Sequence, residues 1–121
     1  GPSNSFEKFK GEIIGISKEN LIEELEILLE KLGLNERERN DFIVYWIIKL
    51  NKRMNYKITI CDEYYDNTIA QLEVNGFEQI HRIMLKFEEV KDVSGLKTVE
   101  EVKRKERPKG KYVIEWGAIL A

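Results

Sequence analysis

Apolar positions recur along this chain with two different periods, and the change from one to the other falls near Arg53. The first apolar run, Glu12-Ile13-Ile14-Gly15-Ile16, is short and ends at a polar step, which suits a strand better than a helix. Ser17 then stands where a helix N-cap belongs, and Glu19 follows where it favours the helix dipole. Leu21, Leu25, Leu28, Leu29 and Leu32 come at spacings of three and four, with Glu23, Glu24, Glu26, Glu30 and Lys31 mostly on the wet side. That spacing predicts an amphipathic helix. Gly33 closes it at a position that tolerates left-handed backbone, with Leu34 placed to fold back on Leu29 in a Schellman motif.

A second helix is predicted at once. Asn35 and Glu38 have the spacing of a capping box, each side chain able to satisfy an orphan backbone donor of the other. The run Phe42-Ile43-Val44-Tyr45-Trp46-Ile47-Ile48 continues through Leu50 and covers a helix on its whole circumference. Such a helix is expected to be buried on nearly every side, unless part of it is a strand. The cap and the charged first turn favour the helix, packed between its partner and a sheet. So short a link makes the two helices a hairpin or a sharp corner.

Beyond Arg53 the period becomes two. Tyr56, Ile58 and Ile60 alternate with Lys57, Thr59 and Cys61, a half-buried strand. Residues 62–67 are polar and predict a loop; Ala70, Leu72 and Val74 give a weaker strand that ends at Asn75-Gly76, a turn pair. Ile83, Leu85 and Phe87 alternate with Arg82, Met84 and Lys86, so residues 80–88 form the best-patterned strand. Residues 91–111 fit either a short helix boxed by Thr98 and Glu101, carrying Val99 and Val102, or an extended surface crossing. Tyr112, Ile114 and Trp116 open a last strand. The fold class expected is α+β: a mostly antiparallel sheet of four to five strands, with a two-helix unit (residues 17–33 and 35–53) on one face.

Composition narrows the function classes. The chain has 121 residues, 42% apolar and 10% aromatic, enough for one domain with a real core. Charged residues reach 35%, but 20 basic and 22 acidic groups leave a net charge of −2, which excludes a globally basic nucleic-acid binder. One cysteine excludes an internal disulfide and four-cysteine zinc sites. No stretch approaches the ~20 apolar residues of a membrane span. Gly1-Pro2-Ser3-Asn4-Ser5 has the look of a tag remnant. Residues 6–121 are expected to be a single domain.

Candidate chemistry is sparse. His81, the only histidine, shares a strand face with Ile83, Leu85 and Phe87 and fits a core-edge position better than a base. A nucleophile pair of Cys61 and His81 would need neighbouring strands to align them. Asp62, Glu63 and Asp66 form an acidic loop without the glycine and ligand alternation of a calcium site. Neither a Walker sequence, a G-x-G-x-x-G nor a G-x-S-x-G is present. No catalytic residue, cofactor or metal is expected. Lys103, Arg104, Lys105, Arg107, Lys109 and Lys111 make the one basic cluster, able to grip a phosphate backbone or an acidic partner. It lacks interleaved aromatic residues and follows Glu100-Glu101, which suits a solvated linker.

Gly33-Leu34-Asn35-Glu36-Arg37-Glu38, leading into Asn40-Asp41-Phe42-Ile43-Val44-Tyr45-Trp46, resembles a segment "GL-x-E-x-E-x-N-x-FI-x-YWLP" found in uncharacterised proteins of anaerobic bacteria and large DNA viruses of protists. Val113-Ile114-Glu115-Trp116-Gly117 is similar to their closing "V-x-EWGG", and Ile83-Met84 falls where they carry an Arg-Val-Phe-Met strand. Here Ile47-Ile48 replaces Leu-Pro, Ala118 replaces the second glycine, and Asn75-Gly76-Phe77-Glu78 replaces a proline-rich turn. The resemblance spans the chain from Lys10 and implies no activity or site residue. It implies a domain at the C-terminal end of a longer chain with a β-rich segment upstream.

The function expected is therefore a non-enzymatic protein-interaction or structural domain. Its partner would be another protein or the rest of its own chain, met through the apolar tail at Trp116, Ile119 and Leu120. The alternative is a nucleic-acid-binding accessory domain using residues 103–111.

Overall fold

The computed structural model of the chain describes residues 10–61, 79–107 and 112–121. Within them run β1 (Gly11–Ile16), α1 (Leu21–Lys31), α2 (Glu36–Ile47), β2 (Asn55–Cys61), β3 (Gln79–Val90) and β4 (Tyr112–Leu120). The expected strand at 69–74, its Asn75-Gly76 turn, the acidic loop with Asp62, Glu63 and Asp66, the cations Lys109 and Lys111, and residues 1–5 all lie outside the described residues.

The helix ends follow local chemistry. The side chain of Ser17 makes no capping bond; Lys18–Asn20 form a 3-10 turn first, and α1 starts at Leu21 rather than at residue 18. At its other end the Schellman motif is complete. Gly33 has φ 96°, the Leu34 N–H donates to the Leu29 carbonyl at 3.1 Å, and the Gly33 N–H donates to the Glu30 carbonyl at 3.0 Å. The capping box of α2 also forms: the Glu38 N–H donates to Asn35 Oδ1 at 2.9 Å and the Asn35 N–H to Glu38 Oε1 at 2.7 Å. This helix stops at Ile47, short of the expected Arg53. The N–H groups of Lys49 and Leu50 both turn back to the Trp46 carbonyl, and that of Asn51 is taken by Tyr56 Oη at 2.6 Å, so the ladder has no next rung.

The fold is α+β, with a four-stranded sheet in chain order, β1-β2-β3-β4. Helices cover one face. On it Ile14, Ile58 and Phe87 stand in register, as do Ile60 and Leu85. They bury with Leu25, Leu28 and Leu29 of α1 and Phe42 of α2 in one core. Rings knit α2 to the sheet: Phe42 and Trp116 lie 5.3 Å apart by centroid, and Trp46 and Phe87 6.1 Å. Two of the three strand pairings are antiparallel, but β4 runs parallel to β3, from Gln79 opposite Tyr112 to Phe87 opposite Leu120. A parallel neighbour needs a long return, and residues 91–111 supply it.

Over residues 91–107 that return is a strap rather than a helix. It passes the outer edge of β1, where the Gly15 N–H donates to the Lys97 carbonyl at 2.8 Å and Lys97 Nζ meets Glu12 at 2.6 Å. A single 3-10 turn, Val99–Glu101, replaces the boxed helix; Val99 and Val102 are buried in the core. The strap then caps the C-terminal end of α1. Lys31 Nζ donates to the carbonyls of Val99, Glu100 and Val102 at 3.1, 2.8 and 3.3 Å, and the Lys105 N–H donates to the Lys31 carbonyl at 2.7 Å. One carbonyl that α1 cannot satisfy internally is thereby satisfied from outside.

Candidate protein-interaction surface

The expectation that α2 is buried all round is not met. Phe42, Ile43 and Trp46 face the core, while Val44, Tyr45 and Ile48 stand 63%, 52% and 80% exposed. The helix has two apolar stripes on opposite faces, about 200° apart at 100° per residue, and a sheet can cover only the one that faces it. The spacing that separates them, 42-43-46 against 44-45-48, is visible in the sequence; an unbroken apolar run conceals it.

This ridge borders the β4 edge of the sheet. Tyr45 and Trp46 line a groove of about 330 Å³ with Met84, Trp116, Gly117 and Ala118. Among the described residues the buried Trp46 Nε1 has no hydrogen-bond partner. Lys49 Nζ sits over the Tyr45 ring, 3.8 Å from its centroid, a cation–π contact that leaves the ring face covered on one side. Below the ridge a second cavity of about 270 Å³ lies between Lys49, Tyr56, Phe87, Glu88, Glu89 and Leu120. Burial, foremost, raises the Tyr56 hydroxyl above its ordinary pKa, against the Asn51 N–H and with the nearby Glu89. Tyr56 is a neutral phenol at physiological pH.

The expected tail residues divide between faces. Residues 118–120 belong to β4 instead of trailing from it. Trp116 is half-buried and packs against the core, Ile119 is half-buried on the opposite face of the sheet by alternation, and Leu120 is 44% exposed. Removing everything after Glu115 would take Trp116 from Phe42 along with the strand, so point substitutions on the rim are the cleaner probe.

Among the described residues, the basic run is largely spent inside the chain. Both Arg104 hydrogen bonds from Nη1 go to Glu30, at 2.6 and 2.7 Å; that side-chain bond, above all, holds Glu30 below the ordinary carboxylate range. Arg107 Nη1 donates to the Gly33 carbonyl at 2.7 Å and to Glu38 Oε1 at 2.6 Å. For Glu38 burial pulls upward, but the Arg107 and Asn35 donors outweigh it and its pKa is lowered. Lys103 is exposed.

His81 and Cys61 do not meet. Cys61 is in register with Met84, so it stands on the face opposite the one shared by His81, Ile83 and Leu85. His81 is buried, with Nε2 2.9 Å from the Leu32 carbonyl. A carbonyl only accepts, so Nε2 carries the proton and donates. Burial, foremost, lowers the His81 pKa; the Leu32 carbonyl opposes this, Arg107 and Lys105 add to it, and Glu38 opposes it. This histidine is a strut under the α1–α2 turn. Among the described residues no group of three His, Cys, Asp or Glu is placed to hold a metal, and no helix is long and apolar enough to cross a membrane.

Comparison with protein-family models, with curated proteins and with solved structures gave no match to this chain.

Proposed function

We propose that this chain is a non-enzymatic interaction domain that binds a protein surface through the α2 ridge and the adjoining β4 edge. The observation that carries the proposal is the ridge itself. Val44, Tyr45 and Ile48 are large, apolar and more than half exposed, next to an apolar groove, and contiguous exposed apolar surface marks interaction sites. The nucleic-acid alternative has less support, because Arg104 and Arg107 are engaged by Glu30 and Glu38.

Affinity capture from cell lysate, with and without nuclease, tests the reading. The tagged chain is compared with Val44→Ser and Ile48→Glu, which change exposed side chains and leave the core intact. A protein retained by the parent in both nuclease arms and lost by both variants is the expected result. Retention untouched by the variants, or retention that nuclease abolishes, refutes it; the latter would move attention to Lys103 and its neighbours.

A further inference from the structure

The two edges of the sheet are treated differently. The outer edge of β1 is occupied: Lys97 bridges to Ile14, accepts from the Gly15 N–H and places a charge against Glu12. A bridging lysine and a covering segment are the usual means by which proteins stop strands adding to a sheet. Among the described residues β4 has a partner on one side only and carries no such guard. It is nine residues long, and its one charge, Glu115, is already paired with Arg82.

Direction fixes which backbone groups are free. The Ala121 N–H donates to the Phe87 carbonyl at 2.9 Å, so Ala121 faces β3, and by alternation so do Ile119, Gly117 and Glu115. The N–H and C=O groups of Ile114, Trp116, Ala118 and Leu120 then point outward.

We propose that the occupant of this edge is a second copy of the chain, its β4 running antiparallel to the first about a two-fold axis at Trp116. This rests on reading the ridge and edge as an interaction surface, and names what meets it. The segment is self-complementary in that register: Trp116 opposes Trp116 of the other copy, Ile114 opposes Ala118, and Glu115 opposes Gly117 rather than another charge. Both strands present the outward row at the axis, as a hydrogen-bonded antiparallel pair requires. The same two-fold axis brings the two α2 ridges to one side of the joined sheet. The area is sufficient. A strand of nine residues is about 30 Å long, and a strip of that length about 20 Å wide hides roughly 600 Å² per copy, about 1,200 Å² in all, the lower bound for specific interfaces.

The test is sedimentation of the purified whole chain from about 1 μM to about 500 μM, concentrations that populate a dimer with a dissociation constant up to the sub-millimolar range, beside the variant Ala118→Pro. Proline at 118 removes an N–H that points away from β3, so the β3–β4 ladder keeps its bonds. The expected result is a concentration-dependent shift to twice the monomer mass, lost in the variant. Amide exchange of the unaltered chain gives a second reading. Protection of the Ile114, Trp116, Ala118 and Leu120 amides should rise at least tenfold with concentration, while Glu115, Gly117 and Ile119 stay protected throughout. A monomer over the whole range overturns the proposal, as does a dimer in which the outward row gains no protection or which Ala118→Pro leaves intact. Lysate capture scores a foreign partner and sedimentation scores the chain alone, so either reading can fail without the other.

Discussion

Replacing Gly33 by alanine should be among the most damaging single-methyl additions to this chain, for two separable reasons. The backbone there has φ 96°, a left-handed conformation that costs a residue with a Cβ about 1–2 kcal/mol. The added carbon would also lie 2.7 Å from His81 Nε2 and 3.1 Å from its Cε1. The imidazole must swing away and give up its bond to the Leu32 carbonyl, and stranding a buried polar group costs about 1–3 kcal/mol. The total is about 3 kcal/mol, with a range of about 2–5. Urea unfolding followed by tryptophan fluorescence suits the measurement, since Trp46 and Trp116 both touch the core. With a slope of about 1.5 kcal/mol per molar, the midpoint should fall by about 2 M. A double-mutant cycle separates the two reasons. In a His81→Ala background the obstacle is gone, so Gly33→Ala should cost only the backbone part, and the coupling should be about 1–3 kcal/mol. A loss under about 1 kcal/mol in the parent, or an equal loss in both backgrounds, would refute this account of the turn.

Acid should weaken the fold in a window set by His81. Its folded pKa is lowered from 6.5, so below that value the unfolded chain takes up a proton that the folded chain does not. Stability then falls with pH at up to about 1.4 kcal/mol per unit, and His81→Gln should flatten that slope in a pH series of urea melts. Glu38, lowered from 4.5, contributes stability that is present above 4.5 and lost only at more acid pH, so its loss begins at lower pH than that of His81. Arg107→Gln should cost about 1–2 kcal/mol, because its bonds to Glu38 and the Gly33 carbonyl are part-buried, whereas Arg104→Gln at an exposed pair should leave the thermal midpoint unchanged. Gly15→Ala would put a methyl 2.7 Å from Val93 Cβ and 3.2 Å from Leu96 Cβ; displacing that stretch of the strap should cost about 1–3 kcal/mol and speed amide exchange at Gly15, whose N–H is bonded to Lys97. Unchanged exchange there would mean that the strap yields without letting go.

Local chemistry was legible in the sequence and long-range pairing was not. The Gly33 closure and the Asn35–Glu38 box are set by partners within five residues, so spacing alone announces them. Alternation likewise announces β2 and β3, because burial on one face forces it. The strap is different: Arg104 finds Glu30, and Lys97 finds Glu12, across more than seventy residues. Two arginines of a basic run are thus paired on the chain's own surface with acids that no local pattern connects to them. The exposed stripe of α2 was hidden for a related reason. Hydrophobicity says that a side chain gains from burial, but a helix lying on one sheet buries only the face turned to it, and that face is set by the tertiary packing. Nor does alternation carry direction, and the parallel setting of β4 follows from where the strap leads.

The parallel pairing of β3 and β4 also orders events in time. β1 meets β2 only across the two helices, and β4 can dock only after the strap has crossed from the β1 edge, past the end of α1, to the far side of β3. Contacts of such long sequence separation raise the loop-closure entropy that must be met before they form, which places folding on the slower, millisecond-to-second side. On a ribosome β4 also emerges after the other described strands. Until it arrives, the outer edge of β3 and the rings of Phe42 and Trp46 lack their cover, and the nascent chain spends that interval with its core open on one side.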